Sequence, residues 1–557
     1  MQILTLLIIG IVLLLSGYLF YGRVLSRIFK LNNSNITPAV KFRDDEDFVP
    51  TNKFYLSGQH LSAIAAAGPI VGPILAGMWF GWLPTMIWII IGGIFIGGVH
   101  DMASLVGSIR HSGKSIAEII HENMSRKAFV LFLLFLWFSL VYIITAFTDI
   151  TASTFADANI GPEVASSSMM YLLLALIMGI VLKLIKIPLT LATIIFLPFV
   201  FLCIYLGPVF PLKIKPILGL SVLNTWDIFL LAYCFIAAVV PVWLLLQPRG
   251  YLGGFFLTLT AGVSFIGIII CQFTQKALIQ FPAFTGWVNP QGLPLLPILF
   301  TTVACGACSG FHALVASGTT SKQVARESEA KFIGYGGMLL ESFVALIALA
   351  TLIILTPSKV SVLKDPNQIY ANGVAVFLNS LGINKDFAFN FALLAFATFV
   401  YDTLDVATRL GRYIFQELIG WKGHLSSLVA TFATLILPVF MVTYKVVDGN
   451  GNVIPAWKVF WTVFGSSNQL LAAMVLLALS VWMFKKKMSF LVSLLPSLFM
   501  LIVAVFSLYF ILNPWIALMI KENKFIASPM EITAGILLIL SVFLVVESTG
   551  VFVKRKK

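Results

Sequence analysis

Apolar runs of about 18 residues or more, separated by short polar stretches, recur from Leu4 almost to the C-terminus. Each is long enough to cross a hydrocarbon core about 30 Å thick at about 1.5 Å per helical residue. Helix is the expected state, because irregular backbone or an open sheet edge facing lipid would leave peptide groups unpaired. The pattern predicts an all-α polytopic membrane protein with about 15 transmembrane helices, over 2–22, 60–80, 83–107, 127–150, 165–185, 188–210, 227–246, 251–273, 297–317, 332–356, 386–415, 424–444, 457–484, 489–512 and 531–553. The longest hydrophilic stretch, Arg23–Gly58, has 36 residues, so no soluble domain is expected.

Composition sharpens that picture. The chain is 59% hydrophobic and 11% charged, with a mean hydropathy of +1.00, whereas soluble domains carry roughly 25% charged residues. Soluble enzymes, secreted modules and nucleic-acid binders are thereby excluded. The net charge of +13 reads as basic loops on one side of a membrane. With fifteen spans and a cytoplasmic tail at Lys554–Lys557, 26 of the 36 Lys and Arg fall in inside loops, all ten arginines among them. That asymmetry fixes the expected orientation, in a bacterial-type inner membrane. The run Gln2–Tyr21 lacks a basic lead and a small-residue cleavage site, so it reads as a first span and not as a signal peptide.

Two spans differ in texture from the rest. One holds Gly68-Pro-Ile-Val-Gly-Pro73 and the other Ala304-Cys-Gly-Ala-Cys-Ser-Gly310. Proline removes a backbone donor, so Pro69 and Pro73 should break the first helix; Gly306, Ser309 and Gly310 permit unwinding of the second. Two spans after each break come related polar runs, Thr148–Ser153 and Asp402–Thr408. The chain therefore divides into 1–59, a first helix and cytoplasmic loop; 60–210, a five-helix unit; 211–296, two intervening helices; 297–484, a second five-helix unit of opposite topology; and 485–557, two helices and a basic tail. Inverted repeats with broken helices are the architecture of many secondary transporters.

In such a protein the helix ends at the breaks offer N–H groups to a carboxylate and carbonyls to a cation. Gly68, Pro69, Gly72, Pro73, Gly306, Ser309 and Gly310 are the substrate-binding candidates, with His312 just beyond; close packing by small residues is the alternative. Charged groups within spans are functional candidates because burial is costly. Asp402 and Asp405 share a helix face, Arg409 stands four residues beyond Asp405 and suits an ion pair with it, and Thr403 and Thr408 add oxygens. This set, with the mid-span Glu341, suits coupling to H⁺ or Na⁺. Asp149 is the counterpart of Glu341 in the first unit. His100, Asp101 and Arg110 read as an inner gate or as loop anchors, Lys183 and Lys186 as snorkelling side chains, and Glu547 as a solvated neighbour of the basic tail. Cys305, Cys308 and His312 share a helix face and could hold a soft metal only with a fourth donor, His60; otherwise the cysteines fill small-residue positions.

These motifs resemble the carbon starvation protein family, CstA. The likeness is carried by Ser57-Gly-Gln-His60, Gly68-Pro-Ile-Val-Gly-Pro73, Gly81-Trp-Leu-Pro84, Val99-His-Asp101 and Ser115. It resumes at Ala304-Cys-Gly-Ala307, Ser309-Gly-Phe-His312, Ser317-Gly-Thr-Thr320, Ile333-Gly-Tyr-Gly336, Tyr401-Asp-Thr-Leu-Asp405 and Thr408-Arg-Leu-Gly-Arg-Tyr413. The resemblance implies a LeuT-like five-plus-five fold and transport of peptides or, in some members, pyruvate. Two departures stand out: Cys308 sits where relatives often carry an apolar residue, and the chain is shorter than many of them.

The expected function is secondary active import of a short peptide or a small carboxylate such as pyruvate, by alternating access and driven by H⁺ or Na⁺. No ATPase motif is present. The expected partners are a small solute and membrane lipid, with no nucleic acid and no cofactor beyond the coupling ion, and no enzymatic role. A passive channel and a membrane metalloprotein or enzyme using Cys305, Cys308 and His312 are the rival classes.

Overall fold

The computed structural model describes residues 3–554 apart from 45–47, 66, 124, 159, 186, 218, 242, 275–277, 422, 445, 448–452 and 523–528; side chains are described throughout these except at 399, 401, 402, 446, 447, 453, 454, 462, 529, 530, 533, 544 and 548–554. Apart from a two-residue antiparallel ladder, Val446–Val447 with Val453–Ile454, its long elements are helices. Twelve described helices are long and apolar enough to cross a membrane, thirteen when one bent pair is taken as a single span.

Besides the shorter helices Pro38–Lys41, Ile116–Asn123, Pro357–Leu363 and Pro366–Asn379, the helices in chain order are α1 (Ile3–Ile28), the bent pair α2 (Lys53–Ile64) and α3 (Gly68–Phe80), α4 (Trp82–Arg110), α5 (Arg126–Phe155), α6 (Gly161–Leu184), α7 (Leu189–Leu206), α8 (Val222–Val239) and α9 (Leu246–Thr274). Three short pieces follow, α10 (Leu295–Thr302), α11 (Ala304–Ala307) and α12 (Phe311–Gly318). Then come α13 (Glu327–Ile353), α14 (Lys385–Ile419), α15 (His424–Thr443), α16 (Ala456–Lys485), α17 (Leu491–Glu522) and α18 (Pro529–Lys554). The first helix of the bent pair starts earlier than its apolar run, because the Asn52 side chain accepts from the Phe54 N–H and caps it at Lys53.

Polarity is arranged for lipid. Large apolar side chains such as Phe20, Ile194 and Phe273 stand exposed on the outside, while Asp101, Asp227, Glu341 and His312 are fully buried. Without water around the bundle, burial of polar groups inside it is the only way to satisfy them.

Both spans break, but the first does not break at its prolines: α3 runs uninterrupted through Pro69 and Pro73. The chain bends by 49° between α2 and α3, and the break falls between Ile64 and Gly68, ahead of Pro69. Pro69 occupies the first turn of α3, where a missing N–H costs nothing, while Pro73 lies inside α3 and leaves the Pro69 carbonyl without its helical donor. The second span is interrupted at Val303 and again at 308–310. The half-helices meet in pairs, α3 against α10 and α11, and α2 against α12.

Helix α5 packs along α14, and α8 and α15 each pack against both of them. Helix α9 lies on α2 and α14, just as α16 lies on α10 and α5. The α6–α7 hairpin is applied to α9 and α14 from outside that set.

Candidate functional site

Small residues let the two broken spans touch at the backbone. A Cβ on Gly68 would lie 2.3 Å from Cys305 Sγ, one on Gly72 would lie 2.5 Å from the Thr302 carbonyl, and one on Gly306 would lie 2.8 Å from the Ala345 Cβ. Close packing is therefore a direct reason for these three glycines. Gly310 faces α16, where a Cβ would lie 2.5 Å from the Ala472 nitrogen.

The N-terminus of α12 is not free. Asn468 on α16 caps it: its Oδ1 accepts from the Phe311 N–H at 3.1 Å, its backbone carbonyl accepts from the Gly310 N–H at 3.2 Å, and its Nδ2 donates to Ser309 Oγ at 3.0 Å. In this conformation the N–H groups of Gly310 and Phe311 are occupied by Asn468 and not open to a carboxylate. A side chain 157 residues away in sequence supplies the acceptor that a helix end demands.

The first turn of α12 carries the chemistry. His312 Nδ1 lies 2.8 Å from Asp101 Oδ2, and His312 Nε2 lies 3.2 Å from Glu341 Oε2, within ion-pair distance but outside hydrogen-bond geometry. The other Asp101 oxygen lies 2.8 Å from His100 Nδ1. All four side chains are fully buried. Among the described residues, neither Glu341 oxygen has a hydrogen-bond partner, nor does His100 Nε2. Asp101 is thus no loop anchor: α4 buries it between two imidazoles beside the second break. A carboxylate–imidazole–carboxylate line can hold a proton on the ring and pass it to either side.

His60, one turn before the first break, lies within electrostatic reach of Asp101 and His312 and lines a cavity. Its Nδ1 lies 2.9 Å from Thr320 Oγ1, its Nε2 has no partner, and Gly337 makes room for the ring, since a Cβ there would lie 3.2 Å from His60 Cδ2. Glu341 follows Gly337 by one turn of α13. The cavity, of about 920 Å³, reaches His60 from the face bearing the loops Ser112–Glu118 and Gly318–Gln323; its wall includes Gln59, Ser62, Thr319, Thr320 and Arg409.

A second charged joint lies on α14. Asp405 Oδ2 is 2.5 Å from Arg249 Nη1 on α9 and accepts from Tyr233 Oη on α8 at 2.8 Å; Arg249 also donates to Tyr233. The expected Asp405–Arg409 pair is therefore corrected. Arg409 Nη2 instead donates to the Ala237 and Val240 carbonyls at 2.7 and 2.6 Å, closing the C-terminal end of α8. Thr403 is buried on α14, and Thr408 donates to the Leu404 carbonyl of its own helix at 2.8 Å. The side chain of Asp402 lies outside the described residues, as does Lys186.

Asp149, buried near the C-terminal end of α5, accepts from the Trp457 N–H at 2.8 Å through Oδ2. Glu547, expected in solvent, accepts from Ser125 Oγ at 2.8 Å. Cys305 Sγ lies 3.7 Å from both Ser309 Oγ and Asn468 Nδ2, and among the described residues no three His, Cys, Asp or Glu side chains converge as a metal site.

Four site residues escaped sequence reading. Asn468 and Tyr233 carry no signal above an ordinary polar residue in an apolar run. Arg249 and Asp227 do carry one, since each is a lone charge beside or within a span.

Comparison with known proteins agrees with this architecture. The family model described as carbon starvation protein CstA matches residues 2–370 and 358–507. The peptide transporter CstA of Escherichia coli (strain K12) is 34% identical over 85% of this chain and 76% of its own. The pyruvate/proton symporter BtsT of the same organism is 31% identical over 89% of this chain and 79% of its own. The crystal structure of MhsT in complex with L-phenylalanine superposes with a TM-score of 0.50 at 12% identity, covering 82% of this chain and 99% of that one, a likeness of fold.

Proposed function

The chain belongs to the carbon starvation protein CstA family, and from that premise we propose that it is a proton-coupled secondary transporter importing a short peptide or a small carboxylate such as pyruvate. The observation that carries the reading is His312, held between Asp101 and Glu341 where the second span breaks. Buried charges survive when paired, and here one imidazolium serves two carboxylates, so the cluster's charge changes with a single proton. An imidazole at the centre favours H⁺ over Na⁺, because a hard cation takes an all-oxygen shell. The relative named as a pyruvate/proton symporter supports the same choice.

Alternating access follows from two five-helix units. The packing favours α2–α5 with α8 and α9 as the first unit and α10–α16 as the second, since α9 meets α2 as α16 meets α10. The α6–α7 hairpin is then an insertion, in place of the pair expected over 211–296. The cavity at His60 opens among loops counted as cytoplasmic from their basic residues, so the structure is read as inward-facing with a cytoplasmic C-terminus. A substrate carboxylate is proposed to bind at the breaks near Gly68, Ser309 and His312, with Asn468 released from α12 to make its N–H groups available.

Uptake of labelled pyruvate and of a dipeptide into proteoliposomes, under separate H⁺ and Na⁺ gradients, tests the proposal. Accumulation driven by the H⁺ gradient, abolished in His312→Gln with folded protein retained, is expected. Accumulation driven by Na⁺ alone, or unchanged in that variant, overturns it.

A further inference from the structure

We propose that Asp227, buried on α8 within electrostatic reach of Asp149 on α5, is a second proton-binding site at the end of the bundle opposite the cavity, the two acids carrying one proton and one negative charge between them without bonding each other directly. Helix α5 starts beside the cavity's loop at Ser112–Glu118, and Asp149 stands 23 residues along it, roughly 35 Å at about 1.5 Å per residue. Asp227 sits in the first turns of α8, which packs on α5; the rings of Phe155 and Trp226 meet there at 5.1 Å, and each acid lies within electrostatic reach of the other.

Both side chains are buried, 1% and 0% exposed, and among the described residues Oδ1 of each has no hydrogen-bond partner. The donors present suit one negative charge only. Asp149 Oδ2 accepts from Trp457 N–H in the first turn of α16, the positive end of a long helix, so Asp149 carries the charge. Asp227 Oδ2 has only a 3.4 Å contact from Asn224 Nδ2, so Asp227 carries the proton. Two neighbouring buried carboxylates do not both ionise without a cation to compensate them. Among the described residues, the cation near the pair is Lys458, already 2.7 Å from Asp365 and partly exposed. Further out, Asp157 and Glu163 bond Gln368 and Asn390, and Lys213 and Lys215 ahead of α8 are exposed.

The two ends of the bundle then use one joint in two ways. At the cavity end an acid of α14, Asp405, meets Arg249 in the first turn of α9; at the far end an acid of α5, Asp149, meets only a backbone N–H in the first turn of α16. One joint is neutralised by a fixed arginine and the other by an exchangeable proton. As a step in transport this site rests on the proton-coupled reading above, but its protonation can be read without transport.

Infrared titration of the reconstituted protein tests it. A protonated-carboxyl C=O band is expected that is absent in Asp227→Asn, vanishes at lower pH in Asp149→Asn because the repelling charge is gone, and is unmoved by NaCl at fixed pH. The Asp149→Asn variant keeps an acceptor for Trp457 N–H, so one variant remains informative if the other misfolds. A band unchanged in Asp227→Asn, or one lost on adding NaCl, overturns the site. An intact band with no proton-driven uptake in wild type instead overturns the transport reading and leaves the site standing.

Discussion

Gly68 and Cys305 meet where the two interrupted spans cross, and the approach leaves no room for even a methyl group: a Cβ on Gly68 would lie 2.3 Å from the sulfur and 2.4 Å from the Cys305 Cβ. The crossing brings the break between Ile64 and Gly68 and the breaks on either side of Ala304–Ala307 into one place. Gly68→Ala should therefore destabilise the protein by about 1–3 kcal/mol through overpacking. Cys305→Ala in the same background should not restore it, because the second Cβ remains, whereas Cys305→Gly should. Thermal melting in detergent reads all three.

Among the described residues Glu341 has no hydrogen-bonded partner for either oxygen, while Asp101 bonds two imidazoles. The two acids should thus fail differently. Glu341→Gln is expected to fold normally, to lose proton-driven accumulation at least about tenfold, ~1.4 kcal/mol of driving free energy, and to retain substrate exchange between equal pools. Asp101→Asn removes the anchor of the ring itself and should abolish both activities. Equal loss in both variants would remove the distinction.

The Arg249–Asp405 pair is 1% exposed on each side. Removing one partner leaves an uncompensated buried charge, so Arg249→Met or Asp405→Asn alone should cost about 3–5 kcal/mol. The double variant should recover most of that. Expression and melting temperature of the three proteins check the sign, and an additive double variant would show that the pair is not coupled.

Asn468→Ala should uncap α12 at a cost of about 1–2 kcal/mol. Asn468→Asp keeps the acceptor for Phe311 N–H and loses the donor to Ser309, so it should restore stability more than transport. Comparing melting temperature with initial uptake rate separates the two roles.

Much of the candidate site was legible in the chain, and the missing part was systematic. His312 and Glu341 stood out because each is a polar group mid-span. Asp101 stood out too, yet its place near the expected end of a span made a loop role look natural. The Asp405–Arg409 pairing followed helical spacing correctly, but Arg249 on α9 outcompeted the local partner. Asn468 gave no cue, since an amide in an apolar helix looks alike whether it caps a neighbour or fills a gap.

The sequence by itself determined the membrane class, the approximate course of the spans and which two of them are interrupted. Those depend on local properties, the length of apolar runs and the backbone chemistry of Pro and Gly. Tertiary structure alone decided which buried charges face one another. Asp101 meets His312 across 211 residues and Asp405 meets Arg249 across 156. In a low-dielectric interior each buried charge takes the partner that packing brings within reach, and packing is a property of the whole bundle.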